Sequence, residues 1–167
     1  MDLPKRKPTR LKDYDYSSEG AYFITICAHN KQCIFSSVVG AIHESPESVL
    51  NENGKVVDDI IKKLNDRFDI IIDKYVIMPN HIHLIVVIDE NTRAIRESPL
   101  QKRSLISKAM GYLKMNASKQ IHKTIHNQKV WQRSFHDHVI RDERDYLKIW
   151  NYIDSNPAKW NEDCFFI

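Results

Sequence analysis

The stretch MPNHIHLIVVID, Met78 to Asp89, places two imidazoles at the head of an unbroken apolar run. Its length and β-branched content predict a strand, and strand side chains alternate between faces. His81 and His83 therefore point one way with Ile85 and Val87, while Ile82, Leu84, Val86 and Ile88 form an apolar row on the other side. A single histidine among apolar neighbours is ordinarily a core residue with hydrogen-bonded ring nitrogens, and two such residues would be the plainer reading. Two at i and i+2 on one face bring both rings to one patch, where they can share a cation. The pair is a candidate metal site that needs a third ligand.

Working outward, AYFITICA (Ala21–Ala28) alternates and reads as a strand, followed by a loop through Gly40 and HESPES that we take as an insertion. Val56, Val57, Ile60, Ile61, Leu64 and Phe68 recur at helical spacing, predicting a helix over about residues 55–67. IIIDKYVIM and HIHLIVVI are two strands joined at Pro79-Asn80, a connection short enough for a hairpin. Leu105, Ile106, Ala109, Met110, Leu113, Ala117 and Ile121 make the apolar stripe of a second helix. SFHDHVIR (Ser134–Arg141) alternates as a fourth strand, and Tyr146, Ile149, Trp150 and Ile153 mark a last helix that stops near Pro157.

Strand, helix, strand, strand, helix, strand is the ferredoxin-like split βαβ order, so the expected class is α+β: a four-stranded antiparallel sheet with an added C-terminal helix. Helices over one face would leave the other face free for a ligand. The 167 residues read as a single domain, 1–167, with a basic arm at 1–12.

Composition narrows the classes of function. With 42% hydrophobic and 28% charged residues the chain reads as neither disordered nor fibrous. No apolar run approaches the length of a membrane span, so no membrane partner is expected and a cytoplasmic location is the default. Cys27, Cys33 and Cys164 are an odd number without a C-x-x-C pair, and we read them as reduced thiols. The net charge of +3 is unevenly spread: between Glu97 and Asp137 there is no acidic residue, while Lys102, Arg103, Lys108, Lys114, Lys119, Lys123, Lys129 and Arg133 fall there. A helix exposed only to water ordinarily mixes signs, so this segment is a candidate phosphate-binding surface. From it and its surroundings, Arg10, Lys102, Arg103, Lys108, Lys114, Arg133 and His138 are the expected phosphate contacts, on DNA if the resemblance given below holds. Trp131, near Arg133, is a candidate for stacking on a base.

Four stretches in order carry a family resemblance: DYDYSSEGAYFITICAHN, VIMPNHIHLIVVI, WQRSFHDHVIRDERDY and YIDSNPAKW, together spanning most of Asp13 to Trp160. They resemble the HUH single-tyrosine transposases, and within them the REP-associated tyrosine transposases. The resemblance implies that the histidine pair and a polar side chain of the tyrosine helix hold a divalent cation, Mg2+ or Mn2+. It also implies that the tyrosine attacks a DNA phosphate to give a 5′-phosphotyrosine and a free 3′-OH, on single-stranded DNA carrying a hairpin.

Carried onto YIDSNP, where Tyr152 and Asn156 stand at i and i+4 on one helix face, the resemblance implies Tyr152 as nucleophile and Asn156 as third ligand beside His81 and His83. Insertion-sequence relatives commonly carry Gln at the Asn156 position, which favours the REP-associated branch. In some of them the tyrosine helix is exchanged between subunits, and the sequence leaves monomer and homodimer both open. Tyr146 lines up with the apolar stripe and reads as packing; Tyr152 lies beside it. His136 and His138 form a second His-x-His set on a strand, but Asp137 between them lacks the apolar wedge of a buried strand. His122 and His126 end the basic helix, where the helix dipole favours histidine. A catalytically inactive DNA-binding protein of the same fold, or a metal-dependent phosphodiesterase using an activated water, are the alternatives.

Overall fold

The computed structural model describes residues 14, 16, 18–40, 46–89, 104–125 and 128–166. The basic arm, Arg10, Lys102, Arg103 and His126 lie outside them, as does the sequence HES at the start of the HESPES loop. The chain runs β1 (Gly20–Cys27), β2 (Ser36–Val39), β3 (Glu47–Leu50), α1 (Glu52–Lys62), α2 (Leu64–Arg67), β4 (Ile71–Ile77), β5 (His81–Ile88), α3 (Leu105–Ile121), β6 (His136–Ile140) and α4 (Glu143–Ser155). A 3-10 segment, Pro157–Glu162, follows. The main sheet is antiparallel in the order β4-β5-β1-β6, the ferredoxin-like arrangement expected from the sequence.

The paired-histidine strand is interior, and its parity is as read. Ile82, Leu84, Val86 and Ile88 join the main core with Tyr22, Ile24 and Ile26 of β1, under Val57, Ile60 and Ile61 of α1 and Ile106, Met110 and Leu113 of α3. Such burial, at about 25 cal/mol per Å² of apolar surface, is the chief stabilisation of the sheet. The opposite face is not left free. Ile149 and Ile153 of α4 pack there on Ile85 and Ile140, so the stripe of the last helix closes over the histidine side. An amphipathic helix with that stripe has to bury it somewhere, and only this face was uncovered.

Two further expectations are corrected. The insertion after β1 carries a two-stranded hairpin, β2 with β3, whose strands are too short and polar to show a period; Ser36 and Ser48 hydroxyls donate to the Ile77 carbonyl and dock it on β4. The first helix begins at Glu52 rather than near 55, because the Asn51 side chain caps it by accepting from the Gly54 amide, and Lys63 interrupts it before α2. Among the described residues no helix is long and apolar enough to cross a membrane.

Two helical glycines should respond to Ala in opposite senses. A Cβ at Gly54 would meet the Phe35 carbonyl oxygen at 2.1 Å, whereas one at Gly111 would meet nothing within 4 Å. Gly111→Ala should raise unfolding free energy by about 0.5–1 kcal/mol, and Gly54→Ala should lower it by about 1–3 kcal/mol. Urea titrations of both variants decide this; stabilisation by Gly54→Ala would contradict the packing described.

Candidate active site

Cross-strand register decides which histidine nitrogens are available. Thr25 lies opposite His83 on β1, and its hydroxyl is 2.8 Å from His83 Nδ1. His81 Nδ1 is 2.9 Å from the Oδ1 of Asn80, whose Nδ2 donates to the carbonyls of Phe165 (2.8 Å) and Lys31 (3.2 Å). Because Asn80 donates elsewhere through its nitrogen, its oxygen faces the imidazole. His81 then carries its proton on Nδ1 and presents Nε2 as a lone pair, the outer-sphere arrangement common to metal-bound histidines. Burial pushes the His81 imidazolium down to about 4, against the opposing attraction of Asp163, and pushes His83 well below 6.5. Both rings are neutral at physiological pH, the state a metal ligand requires.

The tyrosine helix brings the remaining groups. The Tyr152 hydroxyl lies 3.3 Å from His83 Nε2 and 3.3 Å from Asp163 Oδ2. Its ring stands edge-on to Phe23, which stacks on His83. Tyr152 is 39% exposed, the one member of the group open to solvent, while His81, His83 and Asn156 are buried. Burial, reinforced by Asp163 and Cys164, pushes the Tyr152 phenol up to about 12, so it is protonated and a poor nucleophile until its oxyanion is stabilised. Tyr146, on the same helix, donates its hydroxyl to Asp73 on β4.

The residues fit a divalent cation. His81 Nε2 and Asn156 Oδ1 are buried without a hydrogen-bond partner, a costly state for polar atoms unless a ligand completes them. One donor atom each from His81, His83 and Asp163 lie within 4.8 Å of one another, and Asp163 Oδ2 is 3.9 Å from His81 Nε2. Two neutral imidazoles, an amide oxygen and a carboxylate make a mixed nitrogen and oxygen donor set that a divalent cation can take. Asp163 escaped the sequence reading because nothing in its spacing marks it: the 3-10 turn after Pro157 folds it back, where it accepts from Asn156 Nδ2 at 2.9 Å. Asn80 and Thr25 were equally silent, since their roles exist only through strand pairing.

The expected DNA contacts scatter. Lys108 lines a groove of about 940 Å³ with Lys63, Arg67, Tyr112 and Gly111, on the helical side of the sheet, and the Arg67 guanidinium sits over the Tyr112 ring at 4.4 Å. Lys114 instead donates to the carbonyls of Gln132 (2.6 Å) and Ser134 (2.7 Å), tying that loop to α3. Arg133 is exposed, and His138 pairs with Asp145 of α4 at 2.8 Å. Trp131 is not free to stack on a base: it is buried, stacked on Phe35 at 4.7 Å, and donates to the Lys114 carbonyl. His122 is the C-cap residue of α3, and its Nε2 lies 2.7 Å from the carbonyl of Gln128 in the loop beyond.

A central paired-histidine strand with a tyrosine helix laid across it defines a domain of the single-tyrosine transposase class. The family model described as Transposase IS200 like matches residues 22–156, and the chain belongs to that family. An uncharacterized protein of Haemophilus influenzae is 36% identical over 97% of this chain and 93% of its own length. A second protein of that organism, assigned to the REP-associated tyrosine transposases, is 25% identical over 87% of this chain and 74% of its own. The fold is shared with a solved REP-associated tyrosine transposase bound to a REP hairpin, at TM-score 0.59 and 20% identity, covering 90% of this chain and 74% of that one.

The buried imidazoles set a pH dependence. Their folded values lie below 6.5, so as pH falls through that value the unfolded chain binds protons the folded chain refuses. The metal-free chain should hold its full stability above pH 6.5 and lose it progressively toward about 4. Urea denaturation across that range should show a shallower loss for the His81→Gln/His83→Gln double variant; equal slopes would contradict neutral burial.

Proposed function

We propose that the chain is a single-stranded DNA transesterase that cleaves and rejoins DNA at or near hairpins, with Tyr152 as nucleophile and His81, His83 and Asn156 as the ligands of a divalent cation. The observation that carries this reading is the placement of the Tyr152 hydroxyl, partly exposed, against the available Nε2 of His83 and one helical turn before the unpartnered Asn156 oxygen. Nucleophile and cation donors thereby address one phosphate.

In the step we infer, the Tyr152 oxygen bonds to phosphorus while the bond from phosphorus to the 3′-oxygen breaks. The phenol gives up its proton and the leaving 3′-oxygen gains one, so one phosphodiester is exchanged for another and no nucleotide cofactor is consumed. A bound Mg2+ or Mn2+ would supply positive charge at the scissile phosphate and favour the phenolate. The protein's own share is orientation: Phe23 and His83 hold the tyrosine ring, and Asp163 accepts from both Tyr152 and Asn156. A folded single strand is the substrate to try, since the solved relative is bound to a hairpin. The groove supports a phosphate-bearing partner, because Lys63, Arg67 and Lys108 line it against a single carboxylate, Asp66.

Incubation with hairpin-bearing single-stranded DNA and Mn2+ or Mg2+, followed by denaturing electrophoresis, should show a covalent protein–DNA band. Tyr152→Phe should abolish the band while hairpin binding persists, and His81→Ala or His83→Ala should abolish cleavage with binding largely retained, since phosphate contacts supply most affinity. Cleavage products without any adduct would point instead to hydrolysis by a metal-bound water. Replacing Lys63, Arg67 and Lys108 together by Gln should weaken binding and flatten its salt dependence; an unchanged slope would show that the groove takes no phosphate.

A further inference from the structure

The edge strand β4 contains one irregularity, and it faces the tyrosine helix. Ile72 pairs with Val86 and Lys74 pairs with Ile85, so Asp73 between them has no cross-strand partner: a β-bulge. Ile71, opposite Val87, lies on the histidine face. Regular alternation from Ile71 would send Lys74 to the α1 and α3 side. The extra residue switches the parity, and both Asp73 and Lys74 reach α4. Asp73 accepts the Tyr146 hydroxyl. The Lys74 ammonium sits 3.7 Å from the Trp150 ring centroid and 2.5 Å from an Asp154 carboxylate oxygen.

Tyr146, Trp150 and Asp154 succeed one another at i, i+4 and i+8, so the bulge grips one edge of α4 along about 12 Å of its length. Tyr152 stands within that span. The apolar stripe of Ile149 and Ile153 holds α4 on the sheet, but apolar contact is non-directional and tolerates sliding. Hydrogen bonds and a cation on a ring face are directional. The Lys74–Asp154 pair, with Asp154 largely exposed, adds little alone, so the direction comes from Tyr146–Asp73 and Lys74–Trp150.

We propose that the Asp73–Lys74 bulge is a positioning device for the nucleophile: it fixes where α4 lies along the sheet and so holds the Tyr152 hydroxyl at His83. Asp73, Lys74, Tyr146 and Trp150 are thus positioning residues, distinct from the groups that touch the reacting phosphate. The inference rests on the reading of Tyr152 as nucleophile.

The test is single-turnover adduct formation by the full chain with saturating hairpin DNA and Mn2+, read beside hairpin affinity, thermal midpoint and amide hydrogen exchange of α4. Asp73→Ala, Tyr146→Phe and Lys74→Met should each slow adduct formation by about tenfold, the order expected when a reacting group is displaced by a fraction of an ångström to an ångström. Affinity should be unchanged, and α4 amides should exchange faster while β5 and α3 amides do not. Asp73→Asn keeps an acceptor and Lys74→Arg keeps a cation on Trp150, so both should run close to the wild-type rate. The Asp73→Ala/Tyr146→Phe double variant should be no slower than the slower single, as expected of one shared contact. Wild-type rates in all three disruptive variants, failure of the conservative variants to rescue, or slowing that tracks lost affinity or lost folded protein would overturn the proposal. If the wild-type chain forms no adduct at Tyr152, the reading of the nucleophile fails, and the grip on α4 stands or falls on hydrogen exchange alone.

Discussion

Everything in the site depends on keeping two imidazoles buried, neutral and turned the same way at the head of an interior strand. Burial alone would leave ring nitrogens unpaired, at a cost of about 1–3 kcal/mol for each unsatisfied group. Thr25 and Asn80 each take one Nδ1, which leaves His83 Nε2 facing Tyr152 of α4 and His81 Nε2 facing Asp163 beyond it. That requirement fixes the register of β1 on β5 and the turn at Pro79-Asn80. It also explains why the segment after the tyrosine helix returns to the sheet: Phe165 accepts from Asn80 while its ring, with that of Trp160, lies against His81.

The two faces of the sheet divide the work. The apolar row of β5 joins α1 and α3 in the main core and supplies stability. The histidine face carries a smaller apolar cluster, just enough to seat α4. That helix is half exposed, with Tyr152 open to solvent, and directional contacts from Asp73 and Lys74 meet its edge. The groove lined by Lys63, Arg67 and Lys108 lies on the core side, so on the proposed reading DNA affinity and phosphate chemistry can be altered separately.

Sequence periodicity revealed much of this. The parity of His81 to Ile88, the stripe of α3 and the position of Tyr152 beside the stripe of α4 follow from spacings of two and 3.6 residues, and all stand in the structure. What periodicity does not encode is contact between residues distant in the chain. Asp163 meets His81 only because the chain folds back, Thr25 meets His83 only through register, and the Asp73 bulge is invisible in a run that alternates acceptably without it. Charge runs are equally blind to such contacts: Lys114 stands in a one-signed segment, yet its ammonium is held by two loop carbonyls. Lys63 and Arg67, outside that segment, complete the groove with Lys108.

The central claim is that Tyr152 is the attacking group. Peptide mapping by mass spectrometry of the protein trapped with hairpin-bearing single-stranded DNA and Mn2+ tests it most directly. The account predicts a 5′-phosphonucleotide on the α4 peptide, with fragment ions placing it on Tyr152. A nucleotide on Tyr146, or on any residue outside α4, would contradict it.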